Sequence, residues 1–129
     1  NVTEIPIVGR VSAGNPILAE ENIEGTIFVD KFLARNNIGM FILRVKGTSM
    51  INAGIFNGDF ILVRQQSTVD QGEMVIALIE GEATVKRFYK DGDKIKLIPE
   101  NEKMEPIIIY SKKTNIRILG KVEGVIRKV

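Results

Sequence analysis

Apolar residues in this chain fall into short runs of strand length separated by Gly, Asn and Asp. Phe41-Ile42-Leu43-Arg44-Val45, Phe60-Ile61-Leu62-Val63 and Met74-Val75-Ile76-Ala77-Leu78-Ile79 are rich in β-branched and aromatic residues and predict strands. Glu82-Ala83-Thr84-Val85-Lys86-Arg87-Phe88-Tyr89 alternates with period 2, and Lys94-Ile95-Lys96-Leu97-Ile98 does the same. Glu80-Gly81 and Asp91-Gly92 are hairpin turn signals, so these segments read as a β-meander. Pro106 to Tyr110, Asn115 to Leu119 and Val122 to Arg127 continue the pattern. At the other end, Ile5 to Val11 is extended, and Pro6, which lacks a ladder donor, assigns it to a sheet edge. Ile17-Leu18-Ala19 predicts a brief strand, and Glu20 to Gly25 an acidic, solvated loop. Asp30 to Arg35, with Asp30 as N-cap and Asn36-Asn37-Ile38-Gly39 as its end, is the best helical candidate and allows one or two turns. Met50 to Gly54 predicts a tight turn, and Asn57-Gly58-Asp59 a second one leading into Phe60. The expected fold class is all-β: many short, mostly antiparallel strands with at most one or two short helical turns.

Composition narrows the function. With 129 residues, 44% of them hydrophobic, the chain reads as one globular domain spanning 1–129, able to bury about two-thirds of its unfolded surface. There is no cysteine and no histidine, which removes disulfides, thiol nucleophiles, imidazole metal ligands and the Ser-His-Asp triad. No cofactor or metal site is expected; Asp91-Gly92-Asp93 lacks the other ligands of a calcium loop and reads as a hairpin turn. Eighteen basic against 16 acidic residues give a net charge of +2, too little for a nucleic-acid-binding footprint, so this segment is not expected to hold DNA itself. No apolar run reaches the ~18 residues of a membrane span. Asn1 to Arg10 lacks the basic start and apolar core of a signal peptide, so the expected location is cytoplasmic, without a membrane partner.

The candidate chemistry lies in Arg44-Val45-Lys46-Gly47-Thr48-Ser49-Met50, where Gly47 breaks a strand and leaves Ser49 on a turn at its end. A serine hydroxyl needs a base to become a nucleophile, and a Ser-Lys pair is one known solution. Alternation puts Thr84, Lys86 and Phe88 on one strand face. A lysine at its reference pKa of ~10.4 is neutral in roughly one molecule per thousand near pH 7, so burial would have to bring it toward about 7. The plainer alternatives are a loop serine bonded to its own backbone and an edge lysine with its amine in water. Thr84, two residues before Lys86 on the same face, is placed to accept a hydrogen bond from the amine. Backbone N–H groups around Ser49 are candidate oxyanion donors. Ser12-Ala13-Gly14-Asn15-Pro16 is a small-residue turn whose Ala13 and Gly14 offer almost no side chain.

Gly47-Thr48-Ser49-Met50, Thr84-Val85-Lys86-Arg87 and Val11-Ser12-Ala13-Gly14 occur in an order and spacing that resemble the self-cleaving domain of LexA repressors. The likeness extends from Ile5-Pro6-Ile7-Val8-Gly9-Arg10-Val11, through Ile23-Glu24-Gly25 and Ile98-Pro99-Glu100-Asn101, to Gly124-Val125-Ile126-Arg127. The resemblance implies Ser49 as nucleophile, Lys86 as general base and Ala13-Gly14 as the bond cut; Thr84 and Met50 are the candidate supporting residues. It further implies an SOS-response repressor that is a homodimer, is stimulated to cleave by a RecA-DNA filament, and meets operator DNA only through an N-terminal domain for which there is no room before Ile5. The segment Lys121 to Arg127 would then be an exposed pairing edge. The competing expectation is a non-enzymatic β-domain for dimerisation or ligand binding, with Ser49 and Lys86 incidental.

Overall fold

The computed structural model describes residues 1–11, 16–35 and 38–129. Among these described residues nine strands, β1 (Val2–Val8), β2 (Ile23–Asp30), β3 (Phe41–Arg44), β4 (Phe60–Gln65), β5 (Met74–Ile79), β6 (Glu82–Asp91), β7 (Lys94–Ile98), β8 (Ile107–Tyr110) and β9 (Ile116–Ile126), form one sheet. Their order is β2-β1-β3-β4-β9-β5-β6-β7-β8. Every pairing is antiparallel except the single Ile7↔Ile42 contact between β1 and β3. The fold is therefore all-β, as the alternation predicted.

Continuous apolar runs mark strands covered on both faces. In β4, Ile61 and Val63 enter one core with Phe41, Met50 and Ile76, while Leu62 enters a second with Ile5 and Ile42. β5 divides likewise: Ile76 and Leu78 share the first core, and Val75 and Ala77 join Phe88, Ile95 and Leu97 in a third. The long β9 joins the two halves, pairing with β5 from Ile116 to Lys121 and with β4 from Gly120 to Ile126. At Gly120 the strands come so close that an added Cβ would run into the Arg64 carbonyl and the Val63 side chain, which restricts this position to glycine.

Several local expectations change. β1 lies inside the sheet order rather than at an edge, and the edge is β2. Pro6 is tolerated because pairing with β3 is confined to Ile7. Ile17-Leu18-Ala19 forms a turn rather than a strand, with Ile17 only 2% exposed in the first core. Glu20–Asn22 is a single 3-10 turn, and Ile23 to Gly25 already belong to β2. Asn22 is buried there, its amide donating to the carbonyls of Pro16 and Ile17. Asp30 ends β2 and its carboxylate accepts the Phe32 N–H at 2.8 Å. That local bond stabilises a turn where a helix was expected, while the predicted stop at Asn36-Asn37 lies outside the described residues. Among the described residues no helix is long and apolar enough to cross a membrane.

Candidate active site

The Ser49 turn is built by the residues just after β3. Val45 donates to the Asp59 carbonyl and accepts from Gly58 N–H, both at 2.8 Å, so the chain beyond Arg44 stays tied to the turn before β4. Gly47 adopts φ 88°, a left-handed conformation that favours glycine, and its N–H donates to Asn57 Oδ1 at 2.8 Å. Met50, a proposed supporting residue, is 1% exposed and packs into the first core directly after Ser49. The 3-10 turn Ile51–Ala53 then closes at Gly54. The turn is also held from outside: Glu100 N–H donates to the Ser49 carbonyl, and Asn52 N–H to the Glu100 carbonyl, each at 2.8 Å. The side-chain amide of Asn101 donates to the Thr48 carbonyl at 2.9 Å.

Lys86 lies opposite Val75 in the register of β5 and β6. Of the two β6 faces, which alternation alone left open, the one carrying Lys86 and Phe88 is buried: Lys86 is 6% exposed and Phe88 7%. β6 pairs with β7 only from Arg87 onward, so the stretch from Glu82 to Lys86 is laddered on its β5 side alone. The Lys86 amine reaches Ser49 Oγ at 3.1 Å and Thr84 Oγ1 at 2.5 Å. No carboxylate pairs with it among the described residues. Burial therefore acts unopposed and lowers its pKa below the ordinary 10.5.

Ser49 and Thr84 line a cleft of about 450 Å³ together with Val8, Gly9 and Val11. Val45, Ile61, Ile76 and Val85 also line it, as do Glu24 and Arg44, an ion pair 3.5 Å apart. Ala13 and Gly14 lie outside the described residues. The chain on either side of them is anchored near the cleft: Val11 lines it, and Ile17 is buried in the core that also holds Met50. Sequence reasoning gave no role to Glu100 and Asn101, although Ile98-Pro99-Glu100-Asn101 formed part of the resemblance. Their signal is an acid and an amide just after a strand that ends beside the lysine strand.

A family model described as Peptidase S24-like matches residues 6–123. The chain belongs to the Peptidase S24-like family. Relatives of this S24-like chain include a LexA repressor of Caldicellulosiruptor saccharolyticus, 53% identical over 129 residues, covering 100% of this chain and 61% of that protein. A LexA repressor of Alkaliphilus oremlandii is 52% identical across 99% of the chain and 60% of its own length. One of Desulfitobacterium hafniense is 56% identical across 95% and 58%. The S24-like chain thus spans about 60% of the length of these relatives.

Within this S24-like fold, the pairing of a half-buried hydroxyl with a buried, carboxylate-free amine has a definite chemical capacity. A neutral amine at 3.1 Å can take the hydroxyl proton as the oxygen attacks an acyl carbon. Thr84 fixes the amine on a second side. Among the described residues no acceptor takes the Ser49 backbone N–H, which leaves it available to a developing oxyanion.

Proposed function

We propose that this domain is a serine-lysine autopeptidase that cuts its own Ala13-Gly14 bond. The observation that carries the reading is the 3.1 Å contact between Ser49 Oγ and a buried Lys86 amine that has hydroxyl partners and no carboxylate. Neutral Lys86 takes the Ser49 proton while Oγ bonds to the Ala13 carbonyl carbon. The tetrahedral intermediate collapses as Lys86 returns that proton to the Gly14 nitrogen, leaving an Ala13 ester on Ser49. Water, deprotonated by Lys86, then releases the Ala13 carboxylate and restores the serine. Tethering makes the attack intramolecular, with effective molarities on the order of 10⁵ M or more. Mass measurement after incubation should give two fragments, one ending at Ala13 and one starting at Gly14. An unchanged mass in folded protein at high pH would contradict the assignment.

The names of the relatives support a wider role. In this reading the domain belongs to a cytoplasmic SOS-response repressor whose cleavage ends repression, with operator DNA held by a separate N-terminal domain and a RecA-DNA filament stimulating the cut. Homodimerisation is supported by β9, whose pairing with β5 stops at Lys121 while its pairing with β4 runs on to Ile126. One edge of Val122 to Ile126 is thus left without a strand partner among the described residues, and a second copy could pair there. Sedimentation well above micromolar concentration should find a dimer; a monomer alone would remove this part of the proposal.

A further inference from the structure

We infer that Asn101 is a positioning residue for the cleavage reaction: it locks the Thr48–Ser49 peptide plane so that the Ser49 N–H is held as an oxyanion donor. The inference rests on the Ser49-Lys86 reading above. Asn101 is a buried polar side chain, 8% exposed, outside the pair that does the chemistry. Its Nδ2 donates to the Thr48 carbonyl at 2.9 Å, and its Oδ1 accepts the Lys103 N–H at 3.0 Å. The Thr48 carbonyl and the Ser49 N–H belong to one planar peptide, and no peptide bond in the described chain is cis. The two groups therefore point in opposite directions. Fixing the carbonyl toward Asn101 aims the N–H away from it, where no acceptor among the described residues takes it.

The next peptide is held in the same way, because Glu100 N–H donates to the Ser49 carbonyl. Glu100 is in turn tied to the lysine strand: its Oε1 accepts from Arg87 Nε at 2.9 Å, and Arg87 also donates to the Gly72 carbonyl at 3.2 Å. The residues after β7 thus form a strap between the strand of Lys86 and the two peptides that flank Ser49. Asn101 is the member of that strap bonded to the oxyanion peptide, and its second bond, to Lys103, serves only its own turn.

Those two bonds can be separated. Asn101→Asp keeps the acceptor for Lys103 N–H and loses the donor to Thr48, whereas Asn101→Ala loses both. Self-cleavage of each variant is followed against pH, together with the unfolding temperature. A lost oxyanion donor lowers the plateau rate and does not act through the Lys86 titration, so the comparison is made on the plateau. Both variants should be slower there by roughly tenfold to a hundredfold, with Asn101→Asp still folded. Parent-like plateau cleavage by Asn101→Asp would assign Asn101 to its own turn alone and overturn the inference, while slow Ser49→Ala protein kept the Ser-Lys reading intact. Continued cleavage by folded Ser49→Ala protein would overturn that reading and this inference together.

Discussion

Two charged side chains are buried in this domain on opposite terms. Asp59, 3% exposed, receives two bonds from Arg127, each at 2.7 Å, and the Phe56 N–H at 2.8 Å. Arg127 also donates to the Gly54 carbonyl and lies over the Phe56 ring at 4.6 Å. Every lone pair of consequence is answered, and the hydrogen bonds from Arg127 hold the Asp59 carboxyl below its ordinary pKa. Lys86 is similarly enclosed, yet among the described residues its amine meets two hydroxyls and no carboxylate, and burial lowers its pKa instead of an opposite charge raising it. Asp59 is buried so as to stay charged, and its bonds tie the end of the chain to the turn beneath Ser49. Lys86 is buried where the charged form of its amine is disfavoured. A buried charge with its partners in place reads as architecture, and one deprived of them as chemistry.

The sharpest break in that contrast is removal of each group. Lys86→Ala and Ser49→Ala should each reduce self-cleavage by on the order of 10³-fold or more and leave the fold intact, measured by fragment mass and by unfolding. Asp59→Ala should do the reverse. It should lower stability by about 2 kcal/mol, since Arg127 is 41% exposed on its side chain and can turn to water. Denaturant titration would read this as a lower midpoint at unchanged slope.

The smallest effect tests the sign of each burial. Asp59 has a folded pKa below the ordinary 3.8, so its contribution is present above that value and is lost as pH falls through the folded one. Lys86 has a folded pKa below 10.5, so the unfolded chain binds more protons between the two values and stability rises with pH across that window. Lys86→Met, which retains the apolar stem, should therefore raise the unfolding temperature by a few degrees at neutral pH. The gain should shrink as pH approaches 10.5. An increment that is constant with pH would mean that the amine is not penalised by burial.

Much of the strand pattern was legible because its causes are local. Period-2 alternation in β6 put Thr84, Lys86 and Phe88 together, and the structure buries that face. The sequence could not say which of the two faces this would be, because the other carries an equally mixed set, and Val85 also packs against a core. Asp30 misled because a carboxylate that caps a helix also closes a two-residue turn, and only tertiary context separates the two. Pro6 misled because edge placement was inferred from one missing donor, while β1 meets β3 at Ile7 alone. Glu100 and Asn101 were missed as supports because their bonds to Ser49 and Thr48 join residues far apart in sequence.

The most direct measurement of the central claim is the rate of self-cleavage of the domain as a function of pH, with no partner present. If neutral Lys86 is the base, the rate climbs about tenfold per pH unit below its folded pKa and then levels. Because burial lowers that pKa, the bend should come below the 10.5 of a solvated lysine. A rate that is flat from about pH 6 to 10 in folded protein would contradict the mechanism.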